Sequence, residues 1–219
     1  MAHSAAVGDY LKAIYKLQQG DEPVTTMALA AHLKIKAASA TGMVKKLATL
    51  ALAEHTPYHG VRLTTQGEID ALELIRHHRL LELYLAQQVG LPWEKVDAEA
   101  ERLEHVLSED LEDRLDEILG HPTCDPHGDP IPSRNGTLPQ VTLHRLHELA
   151  CGDRAIVRRV SDRDPEALRR IGQAGLFPGT AVQIVEQSSD DALLLWVEER
   201  EHRLAVLDAG RVLVERTSS

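Results

Sequence analysis

The chain has 219 residues, of which 43% are hydrophobic, 26% charged and only 3% aromatic, the balance of a globular protein whose cores are built from Leu, Ala, Val and Ile. No run approaches the roughly 20 apolar residues that span a bilayer, the opening MAHSAAVGDYLKAIYK lacks the apolar stretch of a secretory signal, and two cysteines cannot form a disulfide framework. Secreted and membrane classes are thereby excluded, and a reducing, cytoplasmic location is expected.

Charge is unevenly spread within the net −10: residues 1–67 carry seven basic against four acidic side chains, or +3, and the remainder carries −13. Such asymmetry points to a basic module for a polyanion and an acidic module that needs cations, chance clustering on solvated faces being the other reading.

Tyr10, Leu11, Ile14, Tyr15 and Leu17 recur at helical spacing, which predicts an amphipathic helix over 6–19 ended by Gly20. Thr25 or Thr26 caps a short helix, TMALAAHL, and Ala40, Met43, Val44 and Leu47 share one face of a third helix over 37–50. AEHTPYHGVRLT reads as a hairpin around Pro57 and Gly60, and Thr64 or Thr65 opens a long helix through TTQGEIDALELIRHHRLLELYLAQQVG. Helix, helix, turn, helix, hairpin is the order of a winged helix-turn-helix. Two more helices are predicted, Trp93–Leu107 and Glu109–Leu119. Residues 121–140 hold five Pro and two Gly and read as an extended linker. DRAIVRRV, AVQIVEQS, ALLLWVEE and HRLAVL are then short β runs, with DPEALRRIGQAG helical between the first two. The expected fold is mainly α with a small β barrel, divided into 1–67, 68–120, the linker 121–140, and 141–219.

In a winged helix the third helix reads DNA. Lys36, Ser39, Thr41 and Gly42 at its start would face base edges in the major groove, Lys45 and Lys46 would meet phosphates, and His59 and Arg62 would serve the wing. A surface helix with a few capping-type residues is the plainer reading. Ser, Thr and Gly are poor helix formers, however, and Gly costs about 1 kcal/mol relative to Ala. A small residue also lets the backbone approach bases closely.

The segment VDAEAERLEHVLSEDLEDRLDE sets ten acids against two Arg. Within it Glu101, Glu104 and His105, at i, i+3 and i+4, project from one helical face. They would repel when ionised unless a cation sits among them; a solvated acidic stripe is the alternative. His78 and Glu82 form an i, i+4 pair on the preceding helix. An oxygen-rich set with one imidazole and no thiolate suits Mn²⁺ or Fe²⁺. Cys124 and His127 have a ligand-like spacing but no evident partners and read as linker residues. Glu-x-x-Glu-His approximates a zinc-peptidase motif. Its first position is Glu101 rather than His, and a peptidase has no use for a DNA reader, so no enzyme is expected.

The succession DYLKAIYKL, winged helix, HHRLLE, DAEAERLEHVLS and PHGDPIP resembles the diphtheria toxin repressor family of metal-dependent regulators, over nearly the whole chain and through to that family's SH3-like, FeoA-like C-terminal module. The resemblance implies a primary metal site of Asp9, Glu101, Glu104 and His105. Iron-responsive members usually carry Met and Cys where Asp9 and Glu101 stand, so the set looks like the manganese-responsive pattern. An ancillary site would use His78, Glu82 and Asp97, with Asp164 matching a β-domain carboxylate; a neighbouring amide ligand falls on Ala167, for which Glu166 could substitute. Lys12 stands where manganese regulators lacking the β domain have a second acid. The family implies a homodimeric, Mn²⁺-activated transcriptional repressor of metal-homeostasis genes, bound to a palindromic double-stranded operator. Fe²⁺ is the alternative ion, and Co²⁺, Ni²⁺, Cd²⁺ or Zn²⁺ would enter the site in vitro. A symmetric partner would bury part of Leu72, Leu80, Leu83, Leu111 and Leu115. A winged-helix regulator of a non-metal signal, with the acidic helix only a dimer face, is the competing class.

Overall fold

The structure, a computed structural model, describes residues 4–18, 22–139, 141–188 and 191–217; Gly20, the expected end of the first helix, lies outside them. The chain forms two compact units: one of residues through His78 with Arg102–Glu112 and Pro132–Thr137, the other of Arg79–Glu101, Asp113–Ile131 and the residues from Leu138 onward.

The first unit opens with α1 (Ala5–Leu17), α2 (Thr26–His32) and α3 (Ala37–Thr49), followed by the hairpin β1 (Ala53–Thr56) and β2 (Gly60–Leu63). Thr25 caps α2, its hydroxyl accepting the Ala28 amide. The apolar stripe read from the sequence becomes the core: Val7, Leu11 and Ile14 of α1 cluster with Leu29, Val44, Leu47, Val61 and Leu63. The strands pair antiparallel from Ala53 opposite Leu63 to Thr56 opposite Gly60, forming the wing. Next comes α4 (Thr65–Tyr84), within which the boundary between the units falls.

In the second unit the end of α4 passes into a π-helical turn, Leu85–Val89, closed by Gly90 in the left-handed region. Two further helices, α5 (Val96–Leu103) and α6 (Glu109–Ile118), contribute to it up to Glu101 and from Asp113. The β domain follows: β3 (His144–Arg145), β4 (Arg154–Val160), α7 (Pro165–Gln173), β5 (Ala181–Ser188), β6 (Ala192–Val197), β7 (Arg200–Ala205), α8 (Val206–Ala209) and β8 (Val212–Arg216). Its six strands form one antiparallel sheet in the order β3-β8-β4-β5-β6-β7. Val157, Leu168, Ile171, Ile184, Leu195 and Val214 lie in its core.

Three expectations change. The helix foreseen over Trp93–Leu107 is shorter: α5 stops at Leu103 and a 3₁₀ turn, Glu104–Val106, follows. The tighter winding goes with Glu104 being buried among polar partners while Val106 is 78% exposed. Leu72, Leu80, Leu83 and Leu115 bury within their own chain, whereas Leu111 stays half exposed, and Ile69, Leu103 and Val106 are exposed as well.

The Pro-rich segment, thirdly, is pinned rather than free. In the second unit Asp125 Oδ1 accepts the amides of His127 and Asp129, and Arg79 donates to the Pro130 carbonyl and pairs with Asp125 and Asp129. The Val160 amide donates to the His127 carbonyl at 2.8 Å, tying the segment to β4. In the first unit Arg76 donates to the Pro132 carbonyl. Among the described residues, no helix is long and apolar enough to cross a membrane.

Candidate metal centre and DNA-reading surface

In the first unit, α1 and the 3₁₀ turn bring Asp9, Glu104 and His105 together, with one ligand atom from each within 4.8 Å of the others. His105 Nε2 lies 2.8 Å from Asp9 Oδ1 and 3.5 Å from Glu104 Oε1. The glycine one position before Asp9 leaves room for this approach. A Cβ on Gly8 would stand 2.8 Å from Leu74 Cδ2 and 3.2 Å from His105 Cε1. A cleft of about 310 Å³, lined by Gly8, Asp70, Glu73, His77, Glu104 and His105 among others, opens beside the cluster.

Glu104 is the hub. Its side chain is fully buried, with Lys12 Nζ at 2.6 Å from Oε1 and His78 Nδ1 at 2.5 Å from Oε2. Burial pushes its carboxyl up most strongly, yet the His78 hydrogen bond and the Lys12 charge together hold it below the usual range. His77 steadies the turn from behind, Nδ1 lying 3.4 Å from the Glu104 carbonyl and Nε2 3.0 Å from Glu112 Oε2. Arg76 Nε donates to Glu112 Oε1 at 2.6 Å.

The donor chemistry fits a divalent cation. Two carboxylates and an imidazole converge, and no thiolate is among them. Within the first unit His78 hydrogen-bonds Glu104 through Nδ1; Glu82 and Asp97, which the resemblance groups with it in an ancillary set, and the exposed Glu101 belong to the second unit, and that set stands as an expectation.

The second unit carries a cluster of its own that sequence reasoning passed over: Glu82, His127 and Asp162, again with ligand atoms within 4.8 Å. His127 is fully buried and stands 2.9 Å from the Trp93 carbonyl through Nε2. A carbonyl only accepts, so in the neutral ring the proton sits on Nε2 and the lone pair on Nδ1. Nδ1 has no hydrogen-bond partner among the described residues and lies 3.6 Å from Glu82 Oε1. Burial, then the charges of Glu82 and Asp129, push the Asp162 carboxyl above its ordinary range. An acceptor nitrogen and two carboxyl groups meeting in a buried place are donors of the kind a divalent cation takes. The only local sign in the sequence was the Cys124/His127 spacing, because Glu82 and Asp162 are distant along the chain.

Asp164, foreseen as a β-domain ligand, is employed otherwise. Its Oδ1 caps α7 by accepting the amides of Glu166 and Ala167, and Oδ2 pairs with Arg211 at 3.1 Å. Those backbone hydrogen bonds, with Ala167 foremost, hold its carboxyl low. Asp164 falls in none of the described metal-type clusters.

Lys36 at the N-cap of α3 and Ser39, Gly42, Lys45 and Lys46 on the helix are exposed, whereas Thr41 is half-buried and its hydroxyl donates to the Ala37 carbonyl. Nothing stands within 4 Å of where a Gly42 Cβ would be. On the wing His59 is exposed and Arg62 half-buried. The basic face of a helix beside a wing, joined in one unit to a carboxylate–imidazole cluster, defines a metal-dependent DNA-binding regulator.

Family models agree along the chain. Residues 4–61 match the iron dependent repressor N-terminal DNA binding domain, 64–133 the iron dependent repressor metal binding and dimerisation domain, and 144–216 the FeoA domain. The iron-dependent repressor IdeR of Mycobacterium leprae is 30% identical over 198 residues, covering 85% of this chain and 86% of the relative. The diphtheria toxin repressor of Corynebacterium efficiens is 29% identical over 81% and 82%. A solved manganese-dependent transcriptional repressor in complex with manganese superimposes with a TM-score of 0.88 at 33% identity, covering 96% of this chain and all of that one. The chain belongs to the diphtheria toxin repressor family of metal-dependent transcriptional repressors.

Proposed function

We propose that the chain is a manganese-responsive, homodimeric repressor of metal-homeostasis genes, acting in the cytoplasm on a palindromic operator. The observation that carries this reading is the meeting of Asp9 on α1 with Glu104 and His105, all within the unit that holds α3. A divalent cation there would supply the positive charge that Asp9 and Glu104 need at close quarters, and so favour one placement of α1. Asp9, Glu104 and His105 would hold it, and His78 and His77 orient Glu104. Lys36, Ser39, Thr41 and Gly42 would meet base edges, Lys45 and Lys46 the phosphates, and His59 and Arg62 the wing's groove. Exposed Ile69, Leu103, Val106 and Leu111 supply apolar surface for a second copy. Two readers would then reach half-sites about 34 Å apart.

Two arguments favour manganese: the hard, thiolate-free donor set, and the likeness to a manganese-dependent repressor at a TM-score of 0.88. Iron is the second reading, favoured by the iron-dependent repressors among the relatives, one of them from Mycobacterium tuberculosis at 33% identity. Fluorescence anisotropy with operator DNA, titrated with Mn²⁺ and with Fe²⁺ under anaerobic conditions at fixed salt, decides between them.

In the same assay Glu104→Ala should abolish the metal response, which in such couplings amounts to about 5–150-fold in affinity. A variant as metal-responsive as the parent would overturn the reading. Gly42→Ala isolates the reader. The added methyl meets open space and should raise helix stability by up to about 1 kcal/mol, while reducing operator affinity on the order of tenfold if backbone approaches bases there. Thermal melts and anisotropy would show the two effects moving in opposite directions.

A further inference from the structure

We propose that Lys12 is a resident cation of the metal centre, and that its ammonium sets the affinity for a divalent ion by competing with it for Glu104. The inference rests on the reading that Asp9, Glu104 and His105 hold a divalent cation.

Lys12 lies three residues after Asp9 on α1, so both side chains leave the same face of the helix. It is only 6% exposed, where lysine is rarely found unless paired. Its ammonium stands 2.6 Å from Glu104 Oε1, and this is the oxygen that also faces His105 Nε2 at 3.5 Å, on the side of the cluster where Asp9 sits. The other oxygen of Glu104 is taken by His78 Nδ1. Both oxygens are therefore engaged by side chains of the protein itself. An ion bound by Asp9, Glu104 and His105 has to share Oε1 with an ammonium or displace it.

Two consequences follow from one side chain. Without metal, Lys12 compensates a buried carboxylate that would otherwise be strongly destabilising. With metal, a unit positive charge at hydrogen-bond distance from a ligand oxygen opposes a divalent ion, so the site binds more weakly than its donors alone would allow. Two carboxylates and one ammonium leave a net charge that a single divalent ion overcompensates, and displacement of the ammonium into the adjoining cleft relieves that excess. The cleft lined by Asp70, Glu73 and Glu109 offers acidic surroundings for the released group.

The test compares the full-length parent with Lys12→Met, which keeps the alkyl stem, and Lys12→Arg, which keeps the charge. Mn²⁺ affinity is read by calorimetry without DNA, and melting temperature with and without Mn²⁺. Lys12→Met should melt lower than the parent without metal, bind Mn²⁺ at least about tenfold more tightly, and gain more in melting temperature on adding Mn²⁺; Lys12→Arg should stay near the parent in affinity. If Lys12→Met melts lower by the same amount with and without Mn²⁺ and its affinity is unchanged or weaker, Lys12 is only structural and the inference is overturned. Should that variant not fold, the parent itself decides: acylation of Lys12, followed by mass spectrometry, should rise when Mn²⁺ is added, and constant reactivity overturns the inference. A parent that binds no Mn²⁺ at all would instead bring down the metal reading on which the inference stands.

Discussion

Glu112→Ala is expected to lower the stability of the first unit by about 3–5 kcal/mol, the range for removing one partner of a buried ion pair. The Arg76 guanidinium and the His77 ring converge on Glu112, and both side chains are about nine-tenths buried, so truncation strands a buried positive group. Burial pushes the Glu112 carboxyl up, but hydrogen bonds from His77 and Arg76 overcome it and bring it down to about 2. A carboxyl depressed on folding stabilises the protein fully above its unfolded value of about 4.3, and that contribution disappears as pH falls toward the folded value. Urea unfolding at pH 7, 4 and 3 should therefore show the parent losing stability through this acid window. Glu112→Ala should start lower and fall less steeply. An equal slope in both chains would show that the ion pair does not control acid stability.

The second large effect is expected at Gly128. It sits at φ +86°, and a Cβ there would stand 1.9 Å from the Arg158 carbonyl oxygen and 2.9 Å from its carbon. The obstacle is backbone and cannot swing aside, so Gly128→Ala must break the seam between the Pro-rich segment and β4, including the Val160 to His127 hydrogen bond. Overpacking of this kind together with a left-handed alanine costs about 3 kcal/mol. Calorimetric melting should register it in the second unit. Loss of the seam also frees His127, so any cation bound at Glu82, His127 and Asp162 should be lost with it; unchanged melting would show that the segment yields without cost.

How much of this was legible in the sequence depended on the range of the signal. The winged helix could be read because its core follows a helical period: Leu11 and Ile14, and Val44 and Leu47, are buried where spacing placed them. The β domain could be read because its strands are short apolar runs between turns. Asp9, Glu104 and His105 were legible through the resemblance more than through spacing, since spacing alone put Glu101, Glu104 and His105 on one continuous helix that in fact changes winding at Glu104. Long-range partnership was not legible. Nothing local in Lys12 announces a carboxylate 92 residues away, and the basic run at Arg76, His77 and His78 gives no hint that its members divide between Glu112 and Glu104. His127 looked like a loop residue because its acidic neighbours come from α4 and from beyond β4. Asp164 shows a local role the resemblance did not name, since a carboxylate before a Pro-led helix is a capping residue.

The turn at Glu104–Val106 gives three successive residues three separate employers: a carboxylate facing Lys12 and His78, an imidazole against Asp9, and a valine left to solvent. Adding or deleting a single amino acid there would rotate all three assignments at once, so a deletion scan should find this stretch intolerant while neighbouring surface positions accept change. Evolution can retune ion preference or self-association at the turn only by exchanging side chains in place, never by altering its length.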